Sequence, residues 1–376
     1  MTMMEKSRQA FFELLRAGLW EKEAQFSVFN SVDFREVYRI AEEQSVTGLV
    51  AAGIEHLKGV KVPQDVVLKF VGSTLQMEQR NKTMNAFVAS LIKRLREKDI
   101  LALLVKGQGI AQCYERPFWR ACGDVDLLLS EENYEKAKVL LVPLALNVDT
   151  EYSHFKHLGM IIEGWVVELH GTLHSRLSKR IDRQLDAIQV DTLKKGNMRE
   201  WNHAEVPIFL PTQNNDVIFI FTHILHHFYI EGIGLRQICD WCRLLWTYRK
   251  SLDYGLLESR IRKMGLLTEW QAFAALAVLY LGMPPEAMPL YDRSKKNASK
   301  WKRKADKIMA FILETGNFGH NRDLAGGIVN SAWRKMKDFA RNALVFPMDS
   351  VKFFFHFLFN GIRVAFSSKF RSCQFG

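Results

Sequence analysis

The sequence predicts a mixed, helix-rich α/β fold, with a small mixed-sheet core flanked by helical N- and C-terminal regions. Three observations predict it. Up to about residue 98 the apolar residues recur three and four apart, the period of amphipathic helices. From Ile100 the pattern changes to short apolar runs ended by turn residues, as buried strands require. Beyond Pro211 the helical period returns. Residues 1–98, 99–205 and 206–376 are therefore read as helical, α/β and helical in turn.

Each element follows from its own residues. The opening MTMMEKSRQAFFELLRAGLW reads as an amphipathic helix, because Glu5, Arg8 and Glu13 interrupt the apolar core a secretory signal needs. Residues 37–57 and 81–95 are the next helices, the latter through Phe87, Leu91 and Leu95. Residues 100–105 are a nearly continuous apolar run stopped by Lys106-Gly107, which suits a buried strand. One or two helical turns fit 108–114. Asp124–Leu129 is a second strand, and a helix over 134–141 follows with Ser130 as its N-cap. His157–Ile162 and Trp165–His170 make two more strands around a Glu163-Gly164 turn. Helices are expected over 214–229, 236–248, 256–264 and 269–281, and 293–307 is a connection or an exposed helix. In 345–366, Asp349, Lys352, His356, Asn360 and Arg363 share one helical face with phenylalanines opposite. A helix packed on the protein's own core is preferred there over one that lies on a membrane or binds a partner.

Composition narrows the class. An apolar share of 48% and a charged share of 25% are those of a globular protein, and they exclude disorder. Five cysteines, an odd number without framework spacing, speak against a disulfide scaffold and for a reducing, cytoplasmic setting. No run reaches the roughly 18 apolar residues of a membrane span. The excess of 52 Lys and Arg over 41 Asp and Glu favours anionic partners such as nucleotides, nucleic acid or phosphorylated sugars.

The chemistry concentrates in LLVKGQGIAQCYERPFWRACGDVDLLLS. Asp124 and Asp126 are two apart on a strand, so both point to one face while Val125, Leu127 and Leu129 take the other. Adjacent carboxylates repel unless a cation lies between them, and hard ions such as Mg²⁺ or Mn²⁺ take oxygen ligands together with substrate phosphates. Lys106-Gly107 ends the preceding strand, where glycine lets the backbone approach a phosphate. Arg120 stands just before the acidic pair and can counter phosphate charge. Glu168 brings a third carboxylate on a later strand. Three acids, a glycine turn and nearby cations have the layout of a two-metal phosphoryl-transfer site.

The run Leu104-Val105-Lys106-Gly107, then Tyr114, Pro117, Arg120 and Gly123-Asp124-Val125-Asp126-Leu127-Leu128, resembles an uncharacterised bacterial nucleotidyltransferase family of the DNA-polymerase-β superfamily. Glu168-Leu169-His170 is similar to that family's acid-Leu-His motif. His226 or His227, Leu235-Arg236 and Asp240 match a later helical segment. The resemblance covers residues 80–245 and implies Asp124, Asp126 and Glu168 as metal ligands, with Lys106 and Gly107 meeting the phosphates. It implies transfer of a nucleoside monophosphate from a triphosphate to an acceptor hydroxyl, and the lack of a recognisable nucleic-acid module favours a small molecule or protein over an RNA end as acceptor. Three positions depart from the pattern. Gln108 stands at the phosphate turn in place of serine, Glu168 in place of the commoner aspartate, and Gly171 where a bulky residue is expected.

Other groups carry weaker readings. His170, His227, Arg236 and Asp240 line a cleft or form an interdomain polar network, and Arg236 can pair with Asp240 along one helix face. Cys239 and Cys242, with His223, His226 and His227 upstream, have zinc-ligand types, but packing is the expected role of the cysteines. His154, Lys156 and His157 precede a strand and either reach the triphosphate or form a polar loop, the loop being preferred. The basic run from Lys295 to Lys307 is a solvated face before it is a nucleic-acid site. Two rival functions stand beside the transferase: a degenerate nucleotide- or partner-binding protein, and a basic nucleic-acid-binding protein.

Overall fold

The computed structural model describes residues 2–25, 32–151, 156–230, 232–319, 321 and 328–353. Its first part is helical: α1 (Met3–Trp20), α2 (Phe34–Glu43), α3 (Thr47–Glu55) and α4 (Gln64–Arg96). Thr2 starts α1 by a capping box, accepting from the Glu5 N–H at 3.2 Å while its own N–H donates to Glu5 Oε2 at 2.7 Å. Gly18 and Gly53 let α1 and α3 meet backbone to backbone. A Cβ on Gly18 would stand 1.8 Å from Leu49 O, and one on Gly53 would stand 1.9 Å from Leu14 O.

The single helix expected over 37–57 is two helices, because Ser45 takes a left-handed φ of 54° between them. The Gln44 side chain holds that break, donating to Ile312 O at 3.2 Å and accepting from the Leu235 N–H at 3.1 Å. Conversely α4 begins well before Asn81, since Pro63 can precede a helix and no proline interrupts it from Gln64 onward, Gly72 being carried within it.

The sheet follows. β1 (Ala102–Val105), α5 (Gly107–Ala111), β2 (Asp124–Leu129), α6 (Glu131–Leu141), β3 (Asn147–Val148), β4 (His157–Ile162) and β5 (Trp165–His170) build five strands in the order β1-β2-β5-β4-β3. Only β2 and β5 are parallel, and their register puts Asp126 opposite Glu168. The β4–β5 hairpin turns on Glu163 and Gly164, both at positive φ as a tight two-residue turn requires. Ser130 caps α6 by accepting from the Asn133 N–H at 3.2 Å.

Strand alternation sorts the side chains onto two cores. Val125, Leu127 and Leu129 join Leu104, Val167 and Leu169 beneath α4 and α6. Each fully buried leucine there stabilises by about 1.5–3 kcal/mol relative to exposure. The opposite face, through Leu103, Val105 and Leu128, meets a second core built by the helices.

After β5 come α7 (Lys179–Leu193) and the hairpin β6 (Met198–His203) and β7 (Val206–Pro211), none of which the sequence reading assigned. Ile181, Leu185 and Ile188 give α7 a buried stripe. The rest is α8 (Gln213–Ile230), α9 (Leu235–Tyr248), α10 (Tyr254–Met264), α11 (Leu267–Leu281), α12 (Ala298–Thr315) and α13 (Ile328–Val345). The basic run is thus largely the start of a helix, α12, with Trp301 buried beneath it. The first and last helical regions share a core: Trp20 Nε1 donates to Leu281 O at 2.6 Å, and Arg16 Nη1 to Tyr280 O at 3.1 Å. Of the phenylalanine-rich helix expected over 345–366, residues past Phe353 lie outside the described residues. Among the described residues, no helix is long and apolar enough to cross a membrane.

Candidate active site

β2 and β5 place the chemistry. Asp124, Asp126 and Glu168 share the sheet face that looks toward α8 and α9, and one oxygen from each lies within 4.8 Å of the others. They line a cavity of about 430 Å³ together with Lys106, Gly107, Arg120, His170, His227, Arg236 and Asp240. That volume lies in the ~300–1,000 Å³ range of small-molecule sites. Residues separated by more than a hundred positions thus line one cavity.

The carboxylates are charged against one another and against cations. The Asp126 charge, and then burial, push the Asp124 carboxyl above its usual range. Burial also works against ionisation of Glu168, yet hydrogen bonds from His157 and His170 and the Lys106 charge hold it well below the carboxylate range. Burial lowers Lys106, but Asp126, Glu168 and Asp124 outweigh it and keep the ammonium charged. Lys106 Nζ stands 2.6 Å from Asp126 Oδ1, and His170 Nε2 stands 2.7 Å from the same oxygen. For His170, too, burial is outweighed by these two carboxylates, and its pKa is raised.

Lys106 reaches this position from a sparsely populated backbone conformation, φ 58° and ψ −146°. Such a conformation costs about 1–3 kcal/mol in a non-glycine residue and persists only where its surroundings impose it. Gly107 follows at φ 38°, and a Cβ there would press on Asp124 O at 3.3 Å. Its side chain is absent because β2 runs directly past it.

Arg120, also on the cavity lining, is engaged with Asp240. Its Nε and Nη2 donate to Asp240 Oδ1 and Oδ2 at 3.0 and 2.6 Å, and the Tyr114 hydroxyl donates to Oδ1 at 2.7 Å. Arg236 Nη1 donates to Ala121 O at 2.8 Å. The Gln108 side chain points away from the cavity into the core, where its Nε2 donates to Asn81 Oδ1 at 3.1 Å. Asn81 Nδ2 in turn holds Phe118 O and Arg120 O at 2.8 and 2.9 Å, fixing the segment that carries Arg120.

α8 supplies a histidine wall. His223 and His227 meet through their Nε2 atoms at 3.1 Å, and His226 Nδ1 donates to Ser175 O at 2.7 Å. Burial first, then the charge of Lys106, pushes His223 well below the ordinary imidazole pKa. Cys239 and Cys242 are buried in the helical core, and among the described residues no cluster with metal-ligand geometry includes them. His157, read in the sequence as part of a polar loop, lines the cavity from β4, whereas Lys156 pairs with Glu131. His154 lies outside the described residues.

The sequence reading did not anticipate Thr172, Ser175 and Arg176, in the segment after β5, which also line the cavity. It set His223 beside the cysteines rather than in the cleft. A signal for the latter existed, since Phe219, His223 and His227 recur at four-residue spacing on one face of α8.

The chain matches no curated protein and no solved structure. The model of one protein family, described as an uncharacterised nucleotidyltransferase, matches residues 30–282, about two thirds of the chain. That span holds the whole sheet, all three carboxylates and the facing helices α8 and α9, and the chain belongs to this uncharacterised nucleotidyltransferase family.

Proposed function

We propose that the protein moves a nucleoside monophosphate from a nucleoside triphosphate to an acceptor hydroxyl, releasing pyrophosphate, with Mg²⁺ or Mn²⁺ at the carboxylates. The observation that carries this reading is the pairing of Asp126 with Glu168 across parallel strands, with Asp124 on the same face. An all-oxygen donor set of this size suits hard divalent ions. When bound there, such an ion supplies positive charge to the phosphates and acidifies a hydroxyl.

The chain's own groups supply the rest. Asp124, Asp126 and Glu168 would hold the ion. Glu168 stands across from Asp126 and is held by His157 and His170, so its role is to bind and orient. Lys106 brings a charged amine to the mouth of the Lys106-Gly107 turn, where the triphosphate approaches. Arg120, Asp240 and Tyr114 keep the facing wall in place. His226, His227 and Arg236 present polar groups to the acceptor, for which a small molecule or a protein hydroxyl is favoured.

The test is calorimetric titration of ATP, GTP, CTP and UTP into wild type and Asp124→Ala/Asp126→Ala, with Mg²⁺ and with EDTA. Metal-dependent binding of one triphosphate, lost in the double variant, is expected. Absence of binding to any triphosphate by folded wild type would sink the reading. A second reading, nucleotide or partner binding without turnover, draws on Lys106 contacting Asp126 and on Gln108 turned into the core. Release of pyrophosphate separates the two.

A further inference from the structure

Beside the carboxylate trio, one strand further across the sheet, lies a group of different chemistry. β4 pairs with β5 so that His157 is opposite His170 and Gly159 is opposite Glu168. His157, Glu168 and His170 therefore face the same cavity, and one donor atom from each lies within 4.8 Å of the others. His157 Nε2 is 3.2 Å and His170 Nε2 3.4 Å from Glu168 Oε2. Donors bound to one tetrahedral ion at zinc-like bond lengths of ~2.0–2.2 Å stand roughly 3.3–3.6 Å apart. Both nitrogen–oxygen spacings are close to these values, and all three donors lie within 4.8 Å of one another.

The donor set selects against magnesium. Mg²⁺ takes oxygens and dehydrates reluctantly, whereas two imidazoles and a carboxylate suit zinc and its first-row neighbours. We infer that His157, Glu168 and His170 form a second metal site, for a transition-metal dication such as Zn²⁺, with Glu168 shared between it and the all-oxygen trio. The inference deepens the proposed function, on which it rests for the role of the first ion.

The two sites would differ in access and in what each ion displaces. His157 is partly exposed, its side chain 38% accessible, so an ion can enter from the cavity side without rearrangement of the sheet. His170 Nε2 stands 2.7 Å from Asp126 Oδ1, and an ion between the imidazoles replaces that hydrogen bond. With His170 turned to the ion, Lys106 is the contact left on that Asp126 oxygen, at 2.6 Å, and the first ion has one competitor there in place of two. Position 159, between His157 and Ile161 on the same face, is a glycine, and a Cβ there would meet the Asp149 carboxylate at 2.3 Å. A further negative charge thus lies over the strand beside Glu168.

The experiment uses the full chain, stripped with chelator and titrated with Co²⁺ in a large excess of Mg²⁺, reading the visible absorption that nitrogen-ligated Co²⁺ gives. One equivalent of Co²⁺ that Mg²⁺ does not displace is expected. His157→Ala should weaken it by ~10²-fold or more, on the scale by which metal sites respond to loss of supporting groups. His157→Gln, which keeps volume and polarity, provides a second variant if the first fails to fold. Asp124→Asn should leave the Co²⁺ bands in place. Displacement of Co²⁺ by Mg²⁺, or bands that follow Asp124 and ignore His157, would overturn the inference. Bands that follow His157 in a protein that binds no triphosphate would support the site while removing the transferase reading.

Discussion

Two buried ion pairs line the cavity, and they are built differently. Arg120 and Asp240, with side chains 6% and 7% exposed, meet through two parallel hydrogen bonds, and Tyr114 adds a third to the same carboxylate. Lys106 and Asp126 meet through one contact, on an oxygen that His170 also occupies, and Lys106 holds a strained backbone to make it. A planar guanidinium fork fixes geometry, whereas an ammonium is a point charge on a flexible stem. The first pair is made to hold two walls together. The second neutralises an acidic cluster with a group that can move when another cation arrives.

The sharpest way to break this contrast is to cut each pair and ask whether Mg²⁺ repairs the damage. Asp240→Asn leaves the Arg120 charge buried without its partner, and breaking such a pair destabilises by about 3–5 kcal/mol. Chemical denaturation should show that loss in EDTA and in Mg²⁺ alike, since Asp240 is not in the carboxylate trio. Lys106→Met should destabilise less in EDTA, because His170 still contacts Asp126 and the strained position has lost its anchor. Mg²⁺ should restore it, and Mg²⁺ affinity should rise about tenfold as one competing charge leaves, equivalent to ~1.4 kcal/mol. Triphosphate affinity should fall in the same variant. If Lys106→Met behaves like Asp240→Asn in both media, the two pairs are equivalent and the contrast fails.

A third buried acid sharpens the comparison at its small end. Glu269 on α11 is enclosed, with no cation bonded to it among the described residues, and burial, then the neighbouring Asp349, holds it well above the ordinary range. A raised folded pKa contributes stability that is complete below the unfolded value near 4.5 and is lost as pH rises through the folded value. Glu269→Gln should therefore be near neutral at pH 4.5 and stabilising relative to wild type at pH 8, read as a higher denaturation midpoint for the variant. Equal denaturation midpoints for the two proteins at both pH values would show that Glu269 does not titrate in this way.

Much of the site was legible because strand geometry is local. A period of two puts Asp124 and Asp126 on one face and Val125 and Leu127 on the other without knowledge of any neighbour. The bounds of β2, β4 and β5 follow from apolar runs ended by turn residues, and the Ser130 cap from its side chain. The kink at Ser45 was not legible, since it is held by Gln44 reaching Ile312 and Leu235, far along the chain. Nor were the roles of Arg120 and Gln108. Their residue types suit phosphate recognition, but Asp240 and Asn81 engage their side chains.

Local sequence is enough for β2, β4 and β5, the faces of those strands and the acids on them, because backbone sterics and hydrophobic periodicity act over a few residues. Tertiary structure alone decided that β5 pairs in parallel beside β2, so that Glu168 meets Asp126 and His157 meets His170. It also decided that α8 and α9 close the cavity with three histidines and a buried Arg120–Asp240 pair. Strand order and partner choice are set by which faces can be buried together, and that is a property of the whole chain.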